Sequence, residues 1–190
     1  MKFSYFASGF REDRGSHTGT RLNFEKVRGL YQSGDCAVIY CEWHDDPKGH
    51  ARELASQWVP GDVVTLCGYS WGCGNWVKKF LCELWKLRPI IMVDHLIMVD
   101  PVVRSRWPWM RWLAVSDWGE ISLPANVRKS HIFYQRENEP NASNVRIGSL
   151  IKRPDQRLFV THTKIDNAPE VTAKVLSVAA EYLAQKKPTD

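Results

Sequence analysis

Between Val63 and Trp76 the chain reads Val-Val-Thr-Leu-Cys-Gly-Tyr-Ser-Trp-Gly-Cys-Gly-Asn-Trp. An apolar run breaks into Gly68-x-Ser70-x-Gly72, and a helix-compatible segment follows at once. A strand that turns sharply into a helix, with serine at the apex, pushes the hydroxyl out of the end of a sheet on a strained turn. The glycines leave room for the turn, and the amide of the next residue, Trp71, points to where an oxyanion would form. Strand, tight turn and helix must therefore follow one another without a gap.

The rest of the chain supplies the sheet such a turn requires. Phe3–Ala7, Ala37–Cys41, Asp62–Cys67, His95–Val99, Ser130–Gln135 and Arg157–Thr161 read as strands, most of them continuous apolar runs. Helical segments are expected over 24–32 with Asn23 as cap, over 50–58, over 75–87 with apolar residues at the helical period, and from Pro169 through Leu183. Residues 104–125 fit no clean strand, and 136–156 reads as a loop. Strands alternating with helices imply an α/β three-layer sandwich around a mostly parallel sheet of about six strands.

Nothing in the composition divides the 190 residues, so 1–190 is expected to form one domain. Net charge is +5, but the 26 basic residues are spread along the chain without a long run, as on a solvated surface rather than a nucleic-acid-binding patch. The spacings of the five cysteines match no zinc pattern, and their use as small buried hydrophobes suits a reducing compartment. No apolar stretch approaches the ~18 residues of a membrane span, and the first residues do not read as a signal peptide, so the cytoplasm is the expected location. The unusual count is nine tryptophans. Trp107, Trp109, Trp112 and Trp118 fall close together in 104–125, which marks that stretch as a candidate lid or as a crossover packed on the sheet. Arg104, Arg106 and Arg111 give it an amphipathic character.

In an open parallel sheet, ligands gather at the carboxyl ends of the strands. There the first strand ends at Gly9-Phe10, the third at Ser70, the fourth at Asp100, the fifth near Glu137 and the sixth at His162. Serine, carboxylate and histidine fall on one edge, in the chain order Ser, Asp, His. Over nearly its whole length the chain resembles a compact member of the α/β-hydrolase superfamily that lacks the usual first antiparallel strands.

The resemblance implies a serine hydrolase of the esterase, lipase or thioesterase kind, acting through an acyl-enzyme without metal or cofactor. Ser70 would be the nucleophile, His162 the base and Asp100 its orienting carboxylate. The N–H groups of Trp71 and Phe10 would form the oxyanion hole. Glu137 is the alternative carboxylate, one strand later. Asp100 is preferred because it abuts a clear strand and is followed by Pro101. Trp107, Trp109 and Trp112 are candidate contacts for a small-molecule or lipid-like acyl group. Asp166 is expected to cap the last helix. An acyltransferase on the same scaffold, and an inactive hydrolase-like binding module using its basic, tryptophan-rich surface, remain alternatives. Oligomeric state is left open.

Overall fold

The computed structural model describes residues 1–10, 18–31, 36–104, 114–115, 119–135 and 143–185. Six strands form the central sheet: β1 (Lys2–Ala7), β2 (Cys36–Cys41), β3 (Val63–Tyr69), β4 (Val93–Val99), β8 (Val127–Gln135) and β11 (Gln156–Leu158). Their order is β11-β8-β4-β3-β1-β2, and every pairing is parallel. The direction of winding reverses beside β1, because β2 lies on one side of it and β3 on the other.

Helix α1 (Gly19–Leu30) and helix α4 (Pro169–Gln185) cover one face of the sheet, and α2 (Pro47–Gln57) and α3 (Lys78–Leu87) cover the other. The period of two in the strands serves both layers. Phe3 and Tyr5 of β1 and Val64 and Leu66 of β3 belong to the α2/α3 core, whereas Phe6 and Cys67 belong to the α1/α4 core. Beneath α3, the rings of Trp76 and Phe80 stack at 5.0 Å, and Tyr5 packs on Phe80 at the same distance. The architecture is thus the expected three-layer α/β sandwich.

Three short strands depart from the sequence-based expectation. β7 (Glu120–Leu123), β9 (Asn144–Ile147) and β10 (Leu150–Lys152) form a separate small sheet of order β10-β9-β7. It buries Ile121, Leu123, Val145 and Ile147 in the α2/α3 core. The connections on either side of β8, where no strand was expected, therefore carry a half-buried sheet on that face. β5 (Val103–Arg104) and β6 (Ala114–Val115) make a two-residue antiparallel pair at the base of the expected lid.

Helix boundaries also move. α1 begins at Gly19, and Asn23 lies inside it rather than capping it. The cap comes from the distant Asp166, whose Oδ2 accepts the Thr20 N–H at 3.0 Å. Asn23 Nδ2 donates to the Asp166 carbonyl at 3.2 Å and Thr172 Oγ1 to Asn23 Oδ1 at 2.9 Å, so these polar groups tie α1 to the start of α4. Asp166, expected to cap the last helix, thus caps the first one from a distance. α2 starts at Pro47, with Asp46 accepting from Lys48 N and the proline in the first turn, where its missing N–H costs nothing. The expected helix over 75–87 starts earlier, as a π-helical turn Gly72–Val77 that continues into α3.

One buried group runs against the rule that lysines stay in water. Lys2 is 1% exposed. Its Nζ donates to the Tyr31 hydroxyl at 2.6 Å and the Val178 carbonyl at 3.4 Å, and lies 5.1 Å from the ring centres of Tyr31 and Tyr182. Burial pushes its pKa down to about 8, against the opposing pull of Cys36, Glu181 and Asp94. The unfolded chain keeps this amine protonated up to about 10.5, so between the two values the unfolded state binds more protons and stability rises with pH. Below pH 8 the cost of the buried charge is fully present. Urea unfolding should show the native chain gaining stability relative to Lys2→Met across that window, by at most about 1.4 kcal/mol per pH unit. A difference independent of pH would contradict a strained, charged Lys2.

Candidate active site

Ser70 follows β3 directly and has φ of 51°, in the left-handed region that side chains rarely adopt. Backbone bonds hold it there. Its N–H donates to the Val99 carbonyl at 2.9 Å, and its carbonyl accepts from Cys73 N and Val102 N, each at 3.1 Å. The flanking glycines are required by contact. A Cβ on Gly68 would lie 2.8 Å from Val77 Cγ2, and one on Gly72 would lie 2.5 Å from the Ser8 carbonyl and 2.7 Å from that of Ala7. One on Gly74 would meet the Val102 carbonyl at 2.2 Å. The turn thus packs directly onto the chain leaving β1 and the chain leaving β4.

Asp100 stands at the corresponding place after β4, and it too is left-handed, with φ of 44°. Its N–H donates to the Phe133 carbonyl at 2.7 Å. The carboxylate is fully buried. Gln135 N reaches Oδ1 at 3.4 Å, and Oδ2 lies 2.5 Å from His162 Nδ1. Burial raises the Asp100 pKa above the ordinary aspartate value, and the hydrogen bond and charge of His162 oppose that rise.

His162 lies in the turn between β11 and the short 3-10 segment Ile165–Asn167. Its Nε2 is 2.9 Å from Ser70 Oγ. Ser70, His162 and Asp100, separated by up to 92 residues in the chain, thus form one hydrogen-bonded line. A proton on Nδ1 facing the carboxylate leaves Nε2 as the acceptor for the serine hydroxyl.

Two neighbouring residues were not singled out by motif. Tyr69, the residue before the serine, donates its hydroxyl to the His162 carbonyl at 2.6 Å and stacks on the imidazole with ring centres 5.3 Å apart. Its position in the motif was visible, but its partner, 93 residues away, was not. Trp43, just past β2, packs its ring 5.4 Å from Phe10 and 6.2 Å from Trp71. Phe10 and Trp71, the two expected oxyanion residues, pack with ring centres 4.3 Å apart and planes tilted by 49°. An aromatic triangle therefore stands at the carboxyl ends of β1, β2 and β3. Position at a strand end was the available signal for Trp43.

Behind the site, Tyr134 donates to the Ser143 carbonyl at 2.8 Å, and burial pushes its phenol up to about 12. Ser143 N–H and Oγ in turn hold the Pro101 carbonyl and Val103 N, which ties down the chain after Asp100. The alternative carboxylate Glu137 and the tryptophans Trp107, Trp109 and Trp112 lie outside the described residues. Among the described residues, Glu42, His44 and Asp45 form one group whose possible metal-ligand atoms come within 4.8 Å of one another. Asp45 Oδ2 already accepts from Glu42 N at 2.8 Å, and His44 Nε2 lies 3.1 Å from Glu42 Oε2. Also among the described residues, no helix is long and apolar enough to cross a membrane.

No protein-family model matches the chain, and no curated protein matches its sequence.

The glycine contacts make a paired prediction. Gly72→Ala forces the turn away from the backbone of Ala7 and Ser8 and should cost about 1–3 kcal/mol in chemical denaturation. Gly29→Ala, near the end of α1 with no atom within 4 Å of the added methyl, should leave stability unchanged or raise it by up to about 1 kcal/mol.

Proposed function

We propose that this chain is a serine hydrolase of the α/β-hydrolase type that cleaves a carboxylic ester or thioester through an acyl-enzyme. The observation that carries the reading is the unbroken line from Ser70 Oγ through His162 to the buried Asp100. Ser70 Oγ attacks the acyl carbonyl carbon as its proton passes to His162 Nε2. Asp100, accepting from Nδ1, fixes the tautomer and stabilises the imidazolium that forms. The tetrahedral intermediate collapses, the carbon–oxygen or carbon–sulfur bond to the leaving group breaks, and His162 returns the proton to the departing alcohol or thiol. Water, deprotonated by His162, then attacks the ester on Ser70 and releases the carboxylic acid.

The N–H groups of Trp71 and Phe10 are the proposed donors to the oxyanion, each worth ~10²–10³ in turnover where such donors have been removed. The rings of Phe10, Trp43 and Trp71 are proposed to wall the acyl group, with the segment holding Trp107, Trp109 and Trp112 as a cover. The left-handed Ser70 supports the assignment, because a backbone conformation of this cost persists in folded proteins mainly where function uses it.

A fluorophosphonate probe should label Ser70 in the native chain and leave Ser70→Ala unmodified. Turnover of a short p-nitrophenyl ester should fall by ~10⁴ or more in Ser70→Ala and by ~10⁴ in Asp100→Asn, which keeps the geometry but favours the wrong tautomer. Correctly folded native protein that neither reacts with the probe nor turns over any ester or thioester would end this reading.

Tyr69→Phe isolates the positioning of the base. The variant keeps the ring stack and loses the bond to the His162 carbonyl, so kcat should fall about tenfold with KM unchanged and a stability loss of about 1 kcal/mol. Unchanged kcat would show that the phenol does not hold the imidazole in place.

A further inference from the structure

At the amino-terminal edge of the sheet, opposite the Ser70 rim, lies a cavity of about 550 Å³. Its floor is made by the first residues of four strands, among them Lys2, Val63, Asp94 and Lys129. One wall is apolar: Trp58 and Pro60 precede β3, Ile90 and Met92 precede β4, and Ile90 is 67% exposed. The indole N–H of Trp58 is buried and has no hydrogen-bond partner among the described residues. Opposite it the lining is charged, with Arg128 on β8 and Glu181 on α4 beside Lys129. Both volume and lining suit a small molecule with an apolar body and a polar end.

The charges decide the sign of that end. Each carboxylate at the cavity is already engaged. Asp94 accepts from Val64 N at 2.9 Å and lies 3.5 Å from Arg128. Glu181 pairs with Lys129 at 3.1 Å, with His95 Nε2 at 3.5 Å. Asp62 accepts from Val59 N at 2.9 Å and pairs with the chain's amino group. Lys2 is left over. Among the described residues no carboxylate comes within ion-pair distance of it, and its contacts are neutral oxygens and tyrosine faces. A cavity whose buried cation has no carboxylate at ion-pair distance among the described residues, beside a hydrophobic wall, is complementary to a monoanion attached to an apolar tail.

We propose that this cavity is a second binding site, for an amphipathic monoanion: a carboxylate on an aliphatic or aromatic body. The assignment is independent of the chemistry at Ser70 and is read by binding, not turnover. Titration of the native chain with sodium octanoate, followed by backbone amide shifts, should move Val63, Asp94, Lys129 and Glu181. 1-Octanol, lacking the charge, should bind about tenfold more weakly, and octyltrimethylammonium should leave these amides unmoved. Arg128 and Lys129 have side chains 62% and 58% exposed, so their reversal does not threaten the core. The double variant Arg128→Glu, Lys129→Glu should lower octanoate affinity at least tenfold, and Ile90→Glu should lower it comparably. The proposal is overturned if octanoate does not bind, if the cation binds as well as the anion, or if the charge-reversed variant binds as tightly as the native chain. Shifts confined to Ser70, Trp71 and His162 would also overturn it, by placing the anion at the other rim.

Discussion

The left-handed turn at Ser70 is the constraint from which the arrangement around it follows. A non-glycine residue in that region costs about 1–2 kcal/mol. It is stable because the turn continues the pairing of β3 with β4 one step past the strands. Tyr69 pairs with Val99, and then Ser70 N–H reaches back to the Val99 carbonyl while Val102 N–H returns to the Ser70 carbonyl. Asp100 is turned in the same sense one strand over, anchored on the Phe133 carbonyl of β8. Two adjacent parallel strands thus end in matching turns, and the two side chains are aimed by backbone rather than by their own rotamers. This precision needs close packing, which is why glycine occupies positions 68, 72 and 74.

Burial has different consequences on the two sides of the imidazole. Asp100 is removed from water, so its ionised form depends on His162, and burial alone would favour the neutral acid. The imidazole keeps contact with solvent through a side chain 13% exposed and is held from behind by the Tyr69 ring and hydroxyl. In the proposed reaction that asymmetry matters: positive charge forms on the ring next to a carboxylate that water cannot screen, where the interaction is strongest. Tyr134, itself buried with its pKa pushed up to about 12, stays a neutral donor and anchors the chain that follows Asp100 without adding charge.

The elements legible in the sequence are those whose signal is local. The continuous apolar runs of β1, β3 and β4 announced a sheet covered on both faces, and the glycine spacing around Ser70 announced the turn. Pro169 and the apolar period placed α4. Features set by distant partners were not legible. Asn23 looked like a helix cap, but Asp166 had already satisfied the start of α1 from 146 residues away. β7 and β9 are four residues each, and each is a half-buried strand only because the other lies beside it. A lysine in second position reads as surface until the Tyr31 hydroxyl and the Val178 carbonyl are placed around it. The Ser70, Asp100 and His162 positions were legible because strand ends in a parallel sheet share one edge, so chain order alone limits which residues can meet. The partner of Tyr69 had no such guide.

The same topology gives the molecule two unlike rims. Every strand of the central sheet runs in one direction, so all the turns that leave strands gather at one edge and all the segments that enter them gather at the other. At the leaving edge the chain turns sharply, glycines bring backbones together and polar side chains are held at hydrogen-bonding distance. At the entering edge Arg88 ties the connections from α2 and α3 together through the Ala55 and Trp58 carbonyls, and the strand starts carry Lys2, Asp94, Arg128 and Lys129. Charges there pair at 3.1 to 3.5 Å around the cavity. Tight geometry suits the bond-making proposed at Ser70, whereas a cleft whose buried lysine has no carboxylate at ion-pair distance among the described residues suits the reversible anion capture proposed there. The six-stranded sheet between the two rims would leave each free to serve the chemistry proposed for it.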